Sequence, residues 1–477
     1  MRSTTSNLHY AKPLASHATP IPGVTLFDLP VHGDHRGWFK ENWQRQKMMD
    51  LGLRDFGPVQ NNISYNATRG TTRGIHAEPW DKYISVATGA VFGAWVDLRA
   101  GETFGAVFTA VLDPSTAIFI PRGVGNAFQC LEDGTAYTYL VNDHWSAEAQ
   151  DRYTFLNLAD ETVAIDWPIS LDEAELSEKD CNHPRLADVK PVAPPTTVVL
   201  GGSGQLGREL TRQLEGRSDV EVWGRDRFDL ADPAAVGSVE WRSIGMVINA
   251  AAYTAVDEAE SDGGLDAWAI NAEGVARLAS ACAQHRVTLV HISTDYVYDG
   301  TKEGTYTESD ALRPVNAYGT SKAAGDLAVG VVPRHYLLRT SWVIGDGKNF
   351  IRTMRSLAER GVKPSVVADQ IGRLTFTRDL AAAIIHLTTS GADYGTYNVT
   401  NAGDPGSWAE VARRVYASAG RPASDITEVT TQEYFADTAA ARRPLNSVLD
   451  LSKLEATGFS PRDQWDALEE YLAEAER

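Results

Sequence analysis

Cysteine is scarce in this chain of 477 residues: Cys130, Cys181 and Cys282 stand far apart. No C-x-x-C pair occurs, so neither a disulfide framework nor a thiolate zinc site is indicated, and a reducing compartment is the simpler expectation. Long apolar runs are missing too. None approaches the roughly 18 residues that span a bilayer, and the opening MRSTTSNLHYAKPLASH has no apolar signal-peptide core. The expectation is a soluble, cytoplasmic protein with no membrane partner. Basic residues are outnumbered: 44 Lys plus Arg face 63 Asp plus Glu, a formal net charge of −19. That balance excludes a protein holding nucleic acid by phosphate neutralisation. It leaves room for a local basic pocket that takes a small phosphorylated ligand. Gly 40 and Pro 21 are ordinary counts and exclude collagen-like or low-complexity architectures.

What is present is a chain with 43% apolar and 22% charged residues, long enough for two or three domains, each with its own core. The first half reads as β. Lys82–Leu98 and Ala117–Leu131 are rich in β-branched and aromatic residues, with Gly and Asp-Pro punctuation at short intervals. Only Asn42–Leu51 reads there as an amphipathic helix. Many short strands with such turns predict a sandwich or jelly roll. Near Leu186 the texture changes to ADVKPVAPPT, a Pro-rich stretch suited to a stiff extended linker. The second half alternates strand and helix. TTVVLGG, VEVWG, GMVINAA, VTLVHIST and HYLLRTSWVI are strands, and Leu206, Leu210 and Leu214 fall on one helical face. Alternating βα units predict a doubly wound parallel sheet. The expected boundaries are a β domain over 1–186, a linker over 187–196 and an α/β domain over 197–477.

In the second half, GGSGQLG (Gly201–Gly207) lies where the first strand turns into the first helix. Glycines there let the backbone approach a pyrophosphate, and the helix N-terminus offers unpaired N–H groups. Downstream, Tyr318 and Lys322 in YGTSK lie one helical turn apart on one face. An ammonium at Lys322 lowers the pKa of Tyr318, and a tyrosine so tuned passes a proton to a carbonyl oxygen as hydride reaches the carbon. Thr294 supplies a second hydrogen bond to that oxygen. After VEVW come Arg225 and Arg227. Arginine at that place favours the 2′-phosphate of NADPH over NADH, with NADH still open.

In the first half, a ketone-adjacent proton can be moved without a metal by a base, an oxyanion stabiliser and an acid on the opposite face. Imidazole titrates near neutral pH, so His76 suits the first role, with Asp180 orienting it. Lys82 or Arg73 suits the second, and a tyrosine of YTYLVNDHW the third. Tyr137 and Tyr139 point the same way on a strand, and both remain candidates. A metal-binding cupin usually needs an H-x-H-type pair with further Glu and His ligands. Here position 78 is Glu and the next histidine is His144, so no metal is expected.

These strings carry resemblances. NAAAYTAVDEAE (Asn249–Glu260), STDYVYDG, YGTSKAAGD, LRTSWVIGDGKNF and ARRPLNS (Ala441–Ser447) resemble the dTDP-4-dehydrorhamnose reductase family, within the extended short-chain dehydrogenases/reductases. The likeness implies Thr294, Tyr318 and Lys322 as catalytic. It implies Gly201, Ser203, Gly204, Gln205, Leu206, Gly207, Arg225, Asp229, Leu230, Ala250, Ala251, Ala252 and Thr254 at the cofactor, and Trp342 at the sugar. In DQIGRLTF, Leu374 replaces a proline usual in the family.

DHRGWFKENW, VQNNIS, RGIH, WVDLRAGETFG, IPRGVGNAF, AIDWP and LSEKD resemble the dTDP-4-dehydrorhamnose 3,5-epimerase family, which is metal-free and has a jelly-roll cupin fold. That likeness implies His76 as base, Asp180 as its partner and Tyr139 as acid. Arg36, Phe39, Glu41, Gln60 and Asn62 fall where the family holds the nucleotide, and Arg73 and Lys82 beside the sugar. Asn126 stands where many members carry histidine. The resulting expectation is an all-β jelly-roll cupin followed by a Rossmann-type domain, dimeric through the cupin. It would epimerise a dTDP-4-keto-6-deoxy sugar and then reduce it with NADPH. The alternatives are another deoxysugar product, or a cupin half that only binds or dimerises.

Overall fold

The computed structural model describes residues 12–145, 147–436 and 440–474. The chain divides into two units, Met1–Pro194 and Pro195–Arg477.

The β-branched and aromatic segments of the first unit form two antiparallel sheets. One runs in the order Ala15–Ala18, Thr25–Asp28, Thr116–Ile120, Lys82–Thr88, Thr135–Val141, Gln60–Asn66. The other runs Thr154–Phe155, Thr72–Ala77, Val124–Cys130, Val91–Asp97, Val107–Leu112. Side chains alternate across a strand, so each strand gives one set to the space between the sheets. Ile84, Val86, Trp95, Ile118, Phe128 and Tyr137 fill it. This is the expected sandwich. The expected first-half helix is shorter than its amphipathic pattern: Arg45–Asp50, started by the Gln44 side chain accepting from the Lys47 N–H.

In the 187–196 segment, Val189 is buried among Leu98, Leu156 and Leu186. The Val192 N–H donates to the Leu98 carbonyl at 2.7 Å, and the Ala100 N–H donates back to Val192 at 2.9 Å. Thr196 opens the first strand of the second unit.

The second unit is built on six parallel strands in the order Val220–Trp223, Thr196–Leu200, Ile244–Asn249, Thr288–Thr294, His335–Thr340, Gly395–Asn398. Two apolar clusters include residues of this sheet: Val198, Leu200, Val247, Leu289 and Leu337 in one, Val199, Ile248, Val290, Leu338 and Tyr397 in the other. Strands buried on both faces read as continuous apolar runs, which is why TTVVL and TLVHIST show no alternation. The strand order reverses beside Thr196–Leu200. The crevice at the carboxyl ends of Thr196–Leu200 and Ile244–Asn249 is where such sheets bind ligands.

Two candidate active sites

In the first unit, His76 sits on strand Thr72–Ala77, and Asp180 on the short helix Glu178–Cys181. The helix is capped by Ser177, whose hydroxyl accepts from the Asp180 N–H at 3.1 Å. His76 Nε2 lies 2.9 Å from Asp180 Oδ1. Burial raises the Asp180 pKa, but the hydrogen bond and charge of His76 outweigh it and hold the group below the ordinary carboxylate value. An ionised Asp180 accepts the Nε2–H and leaves Nδ1 of His76 with the lone pair.

Ring contacts run from His76 to Phe155 (5.4 Å), Phe155 to Tyr153 (5.9 Å) and Tyr153 to Trp80 (5.6 Å). Tyr139 and Tyr153 both pack against the cluster of Trp80 and Val141. Lys82 Nζ lies 5.1 Å from the centre of the Tyr139 ring and 2.7 Å from Glu78 Oε1, while Trp80 Nε1 donates to the other Glu78 oxygen at 2.5 Å. Both expected cations are present in different states. Lys82 is buried and paired with Glu78. Arg73 is exposed, with Nε donating to Asn66 Oδ1 at 3.1 Å.

The two candidate tyrosines separate. Tyr137 is buried, stacked on Phe128 at 4.1 Å, and donates its hydroxyl to Asn126 Oδ1 at 3.0 Å. Burial pushes its pKa far up. Tyr139 is only partly buried. Burial and the Glu78 carboxylate push it up to about 12, against the Arg73 charge. Asn126 also accepts from Trp95 Nε1 at 2.9 Å, so its side-chain oxygen is used inside the sandwich. Tyr153 was missed in the sequence. It precedes the strand Thr154–Phe155, whose Phe155 pairs with His76.

Strand pairing sets Asn62 opposite Tyr139 and Gln60 opposite Val141, and Gln60 Nε2 donates to Asn62 Oδ1 at 2.8 Å. Arg36, Phe39 and Glu41 are elsewhere. Arg36 and Phe39 belong to the hairpin Val31–Asp34/Gly37–Lys40, where Arg36 pairs with Asp34. Phe39 and Glu41 line a groove with His32, Gln44, Lys47 and Met48, and Glu41 pairs with Lys47.

In the second unit, Gly201 has φ +78°, and a Cβ there would lie 2.7 Å from the Ala251 nitrogen. The helix Gln205–Gln213 starts at Gly204 with no side-chain cap, so its first-turn N–H groups stay available. Gln205 Oε1 is buried without a partner among the described residues. The Ala250 N–H donates to the carbonyl of Leu200, which ends this unit's first strand, at 3.1 Å, and the Ala251 N–H to Asn249 Oδ1 at 3.1 Å. An uncapped helix end, a glycine turn too tight for a side chain and an orphaned amide oxygen fit a dinucleotide. Thr254 follows Tyr253, whose N–H and carbonyl are both held by Asn271 at 3.0 Å. Asp229 Oδ1 accepts from Ala231, and the buried Leu230 gives its carbonyl to Arg277.

Arg225 and Arg227 are the residues expected at the 2′-phosphate. Arg227 Nη1 is 2.8 Å from Glu221 Oε2, and its guanidinium stacks 4.2 Å from the Trp223 ring. Both side chains of that pair are exposed. Arg225 is exposed and makes no ion pair among the described residues.

Tyr318 and Lys322 lie on the helix Ala317–Val329, fixed at its start by Asn316 Oδ1 accepting from Gly319 at 2.6 Å. Both are buried. Thr294, ending strand Thr288–Thr294, donates its hydroxyl to Asp295 Oδ1 at 3.0 Å and accepts from the Tyr296 N–H at 3.2 Å. The expected lowering of the Tyr318 pKa is absent. Burial and the Asp295 carboxylate push the phenol above its ordinary value, with only Thr294 opposing among its hydrogen bonds. The reason lies in Lys322: its Nζ donates to the Ile292 carbonyl at 2.6 Å and faces His291 Nε2 at 3.3 Å. Burial brings the Lys322 pKa down to about 8 against the charge of Asp326.

His291, Asp295 and Ser447 were not singled out in the sequence, though HISTDYVYDG and ARRPLNS contain them. Asp295 is buried, bonded by Ser447 and raised to about 6 by desolvation. Trp342 has φ +46° and stacks on Trp408 at 3.9 Å. Leu374, at the place of the family's proline, is buried and donates its N–H to Gln464 Oε1 at 2.9 Å. A proline has no such hydrogen.

Comparison with known proteins assigns each unit. Residues 196–477 match the family model described as RmlD substrate binding domain, and residues 18–188 match dTDP-4-dehydrorhamnose 3,5-epimerase. The chain is 53% identical to a protein RmlC homolog of Streptococcus pyogenes over 39% of this chain and 96% of the relative. It is 38% identical to a dTDP-4-dehydrorhamnose reductase of Aggregatibacter actinomycetemcomitans over 58% of this chain and 99% of the relative. A crystal structure of dTDP-4-dehydrorhamnose reductase from Bacillus anthracis in complex with NADP is similar at 35% identity and TM-score 0.55, covering 59% of this chain and 99% of that one.

Proposed function

Because the chain belongs to the dTDP-4-dehydrorhamnose reductase family over residues 196–477 and to the 3,5-epimerase family over 18–188, we propose that it carries two consecutive activities. The first unit inverts C3 and C5 of dTDP-4-keto-6-deoxy-D-glucose. The second reduces the C4 ketone, and the product is dTDP-L-rhamnose. The observation that carries this reading is one chain holding both the His76–Asp180 pair and the buried Tyr318 and Lys322 on one helix.

Both inverted carbons are alpha to the same ketone, so one enolate logic serves twice. His76 Nδ1 takes the proton from carbon while Asp180 keeps Nε2–H in place and stabilises the imidazolium. Arg73 and Lys82 stabilise the enolate oxygen. Arg73 is the freer cation, since Glu78 offsets Lys82. Tyr139 returns a proton from the opposite face. The Arg73 charge that opposes its raised pKa makes it a better donor.

In the second unit, NADPH supplies a hydride when bound. The glycine loop and the N–H groups of Gln205–Gln213 hold the pyrophosphate. Ala250, Ala251, Ala252 and Thr254 line the dinucleotide, and Arg225 meets the 2′-phosphate. Tyr318 protonates the C4 oxygen, Thr294 bonds the same oxygen, and the Lys322 ammonium, anchored on the Ile292 carbonyl, orients the ribose. Trp342 packs on the sugar. The two units together consume a dTDP-keto sugar, and a cupin-mediated dimer in a cytoplasmic setting fits this reading. No helix of the described residues is long and apolar enough to cross a membrane.

The test is stoichiometric. Wild-type chain with dTDP-4-keto-6-deoxy-D-glucose oxidises one NADPH per sugar. His76→Ala oxidises NADPH only when given pre-epimerised substrate. Equal turnover of both substrates by the variant would remove the epimerase step from the account.

A further inference from the structure

His183 has no part in the reactions above. Its side chain is 6% exposed, stacks on Phe155 at 4.6 Å, and its Nε2 has no hydrogen-bond partner among the described residues. That nitrogen lies 3.9 Å from Asp180 Oδ1, on the side of the carboxylate that also meets His76. One ligating atom each from His76, Asp180 and His183 lies within 4.8 Å of the others. The turn is built rather than incidental. Asn157 Nδ2 donates to the Cys181 and His183 carbonyls, both at 2.9 Å, and fixes the chain between Asp180 and His183.

We propose that His76, Asp180 and His183 form a site for Zn²⁺ that turns the epimerising base off. Two imidazoles and one carboxylate suit zinc or cobalt far better than magnesium or calcium. Zinc–nitrogen bonds of about 2.0 Å put tetrahedral ligands about 3.3 Å apart. The existing 2.9 and 3.9 Å separations bracket that figure. The fourth position is left to water or a sugar oxygen. Coordination through His76 Nε2 displaces the proton now shared with Asp180. The neutral ring then carries its hydrogen on Nδ1, the atom that otherwise accepts the substrate proton. Metal binding and proton abstraction therefore exclude one another. Asp180 on the helix Glu178–Cys181 and His183 just beyond its end meet a histidine more than a hundred positions earlier only through the fold.

The inhibitory consequence rests on His76 being the base; the metal site itself does not. The test uses the full chain, freed of metal by a chelator. Titration with Co²⁺ should give the visible absorption of a tetrahedral ion, bleached by Zn²⁺. Deuterium exchange at C3 and C5 should fall with the same Zn²⁺ dependence and return with EDTA, while reduction of pre-epimerised substrate is unchanged. His183→Leu and His183→Gln should keep exchange near the wild-type rate and bind either ion at least ~10–100-fold more weakly. A chain that gives no tetrahedral cobalt spectrum, or variants as zinc-sensitive as wild type, would overturn the proposal. Exchange that survives His76→Ala sinks the base assignment instead, and the cobalt titration still judges the site.

Discussion

The two candidate sites handle protons in opposite surroundings. His76 is partly exposed, on a carboxylate held charged by it, with Arg73 open to solvent nearby. Tyr318, Lys322, His291 and Asp295 are all buried. In the first site, pairing fixes the protonation states. In the second, desolvation does: Tyr318 is pushed up, Lys322 down to about 8 and Asp295 up to about 6. A base that must reach two carbons of a sugar needs an open approach. A proton donor that acts once, beside a hydride transfer, gains from a dry site where each hydrogen bond counts for more.

The largest expected effect breaks the buried site alone. Tyr318→Phe keeps the ring and deletes the acidic proton. Reduction should fall about 10³-fold, roughly 4 kcal/mol of barrier, with deuterium exchange untouched. Reduction within about threefold of wild type would put less than ~1 kcal/mol on that proton and exclude Tyr318 as donor. Asp180→Asn breaks the other side. It removes the charge that orients His76, and exchange should drop about 10²-fold while NADPH oxidation on pre-epimerised sugar stays level.

Smaller effects sharpen the contrast. Lys322 holds its ammonium below about pH 8 and loses it above. Because its folded pKa is depressed, reduction should decline as pH rises through that value, well before an exposed lysine would titrate. A rate flat to pH 10 would mean that the charge is not needed. Arg225→Ala should weaken NADPH roughly 10–100-fold, corresponding to one charge-assisted bond of about 1.5–3 kcal/mol, and leave NADH nearly unchanged. Arg227→Ala should do less, since Glu221 already holds that arginine. Kinetics with both cofactors separates the two residues. Leu374→Pro should cost about 1–3 kcal/mol by stranding the buried Gln464 oxygen, measured as a lower unfolding midpoint.

How far the sequence carried differs between the units for a physical reason. β-Branched and aromatic segments with close turns in the first half, and short apolar runs between helical stretches in the second, are local features, so both sheets were legible. So was the His76–Asp180 pair, 104 positions apart, through its flanking strings. Pairings decided by packing were not. Tyr137 and Tyr139 are equivalent by strand parity, and only the stacking on Phe128 and the bond to Asn126 set Tyr137 aside. Arg225 and Arg227 look interchangeable until Glu221 and Trp223 claim one of them. A Tyr-x-x-x-Lys spacing predicts a shared helix face but not the direction of the lysine tip, which turns to Ile292 and His291.

The central claim is that one chain performs enolate chemistry and then reduction. It is tested most directly in D₂O, with dTDP-4-keto-6-deoxy-D-glucose and product NMR, with and without NADPH. The account predicts deuterium at C3 and C5 without cofactor. With NADPH it predicts one dTDP-L-rhamnose product carrying both deuterons. A reduced sugar with protium at both carbons, or with either centre uninverted, would contradict it.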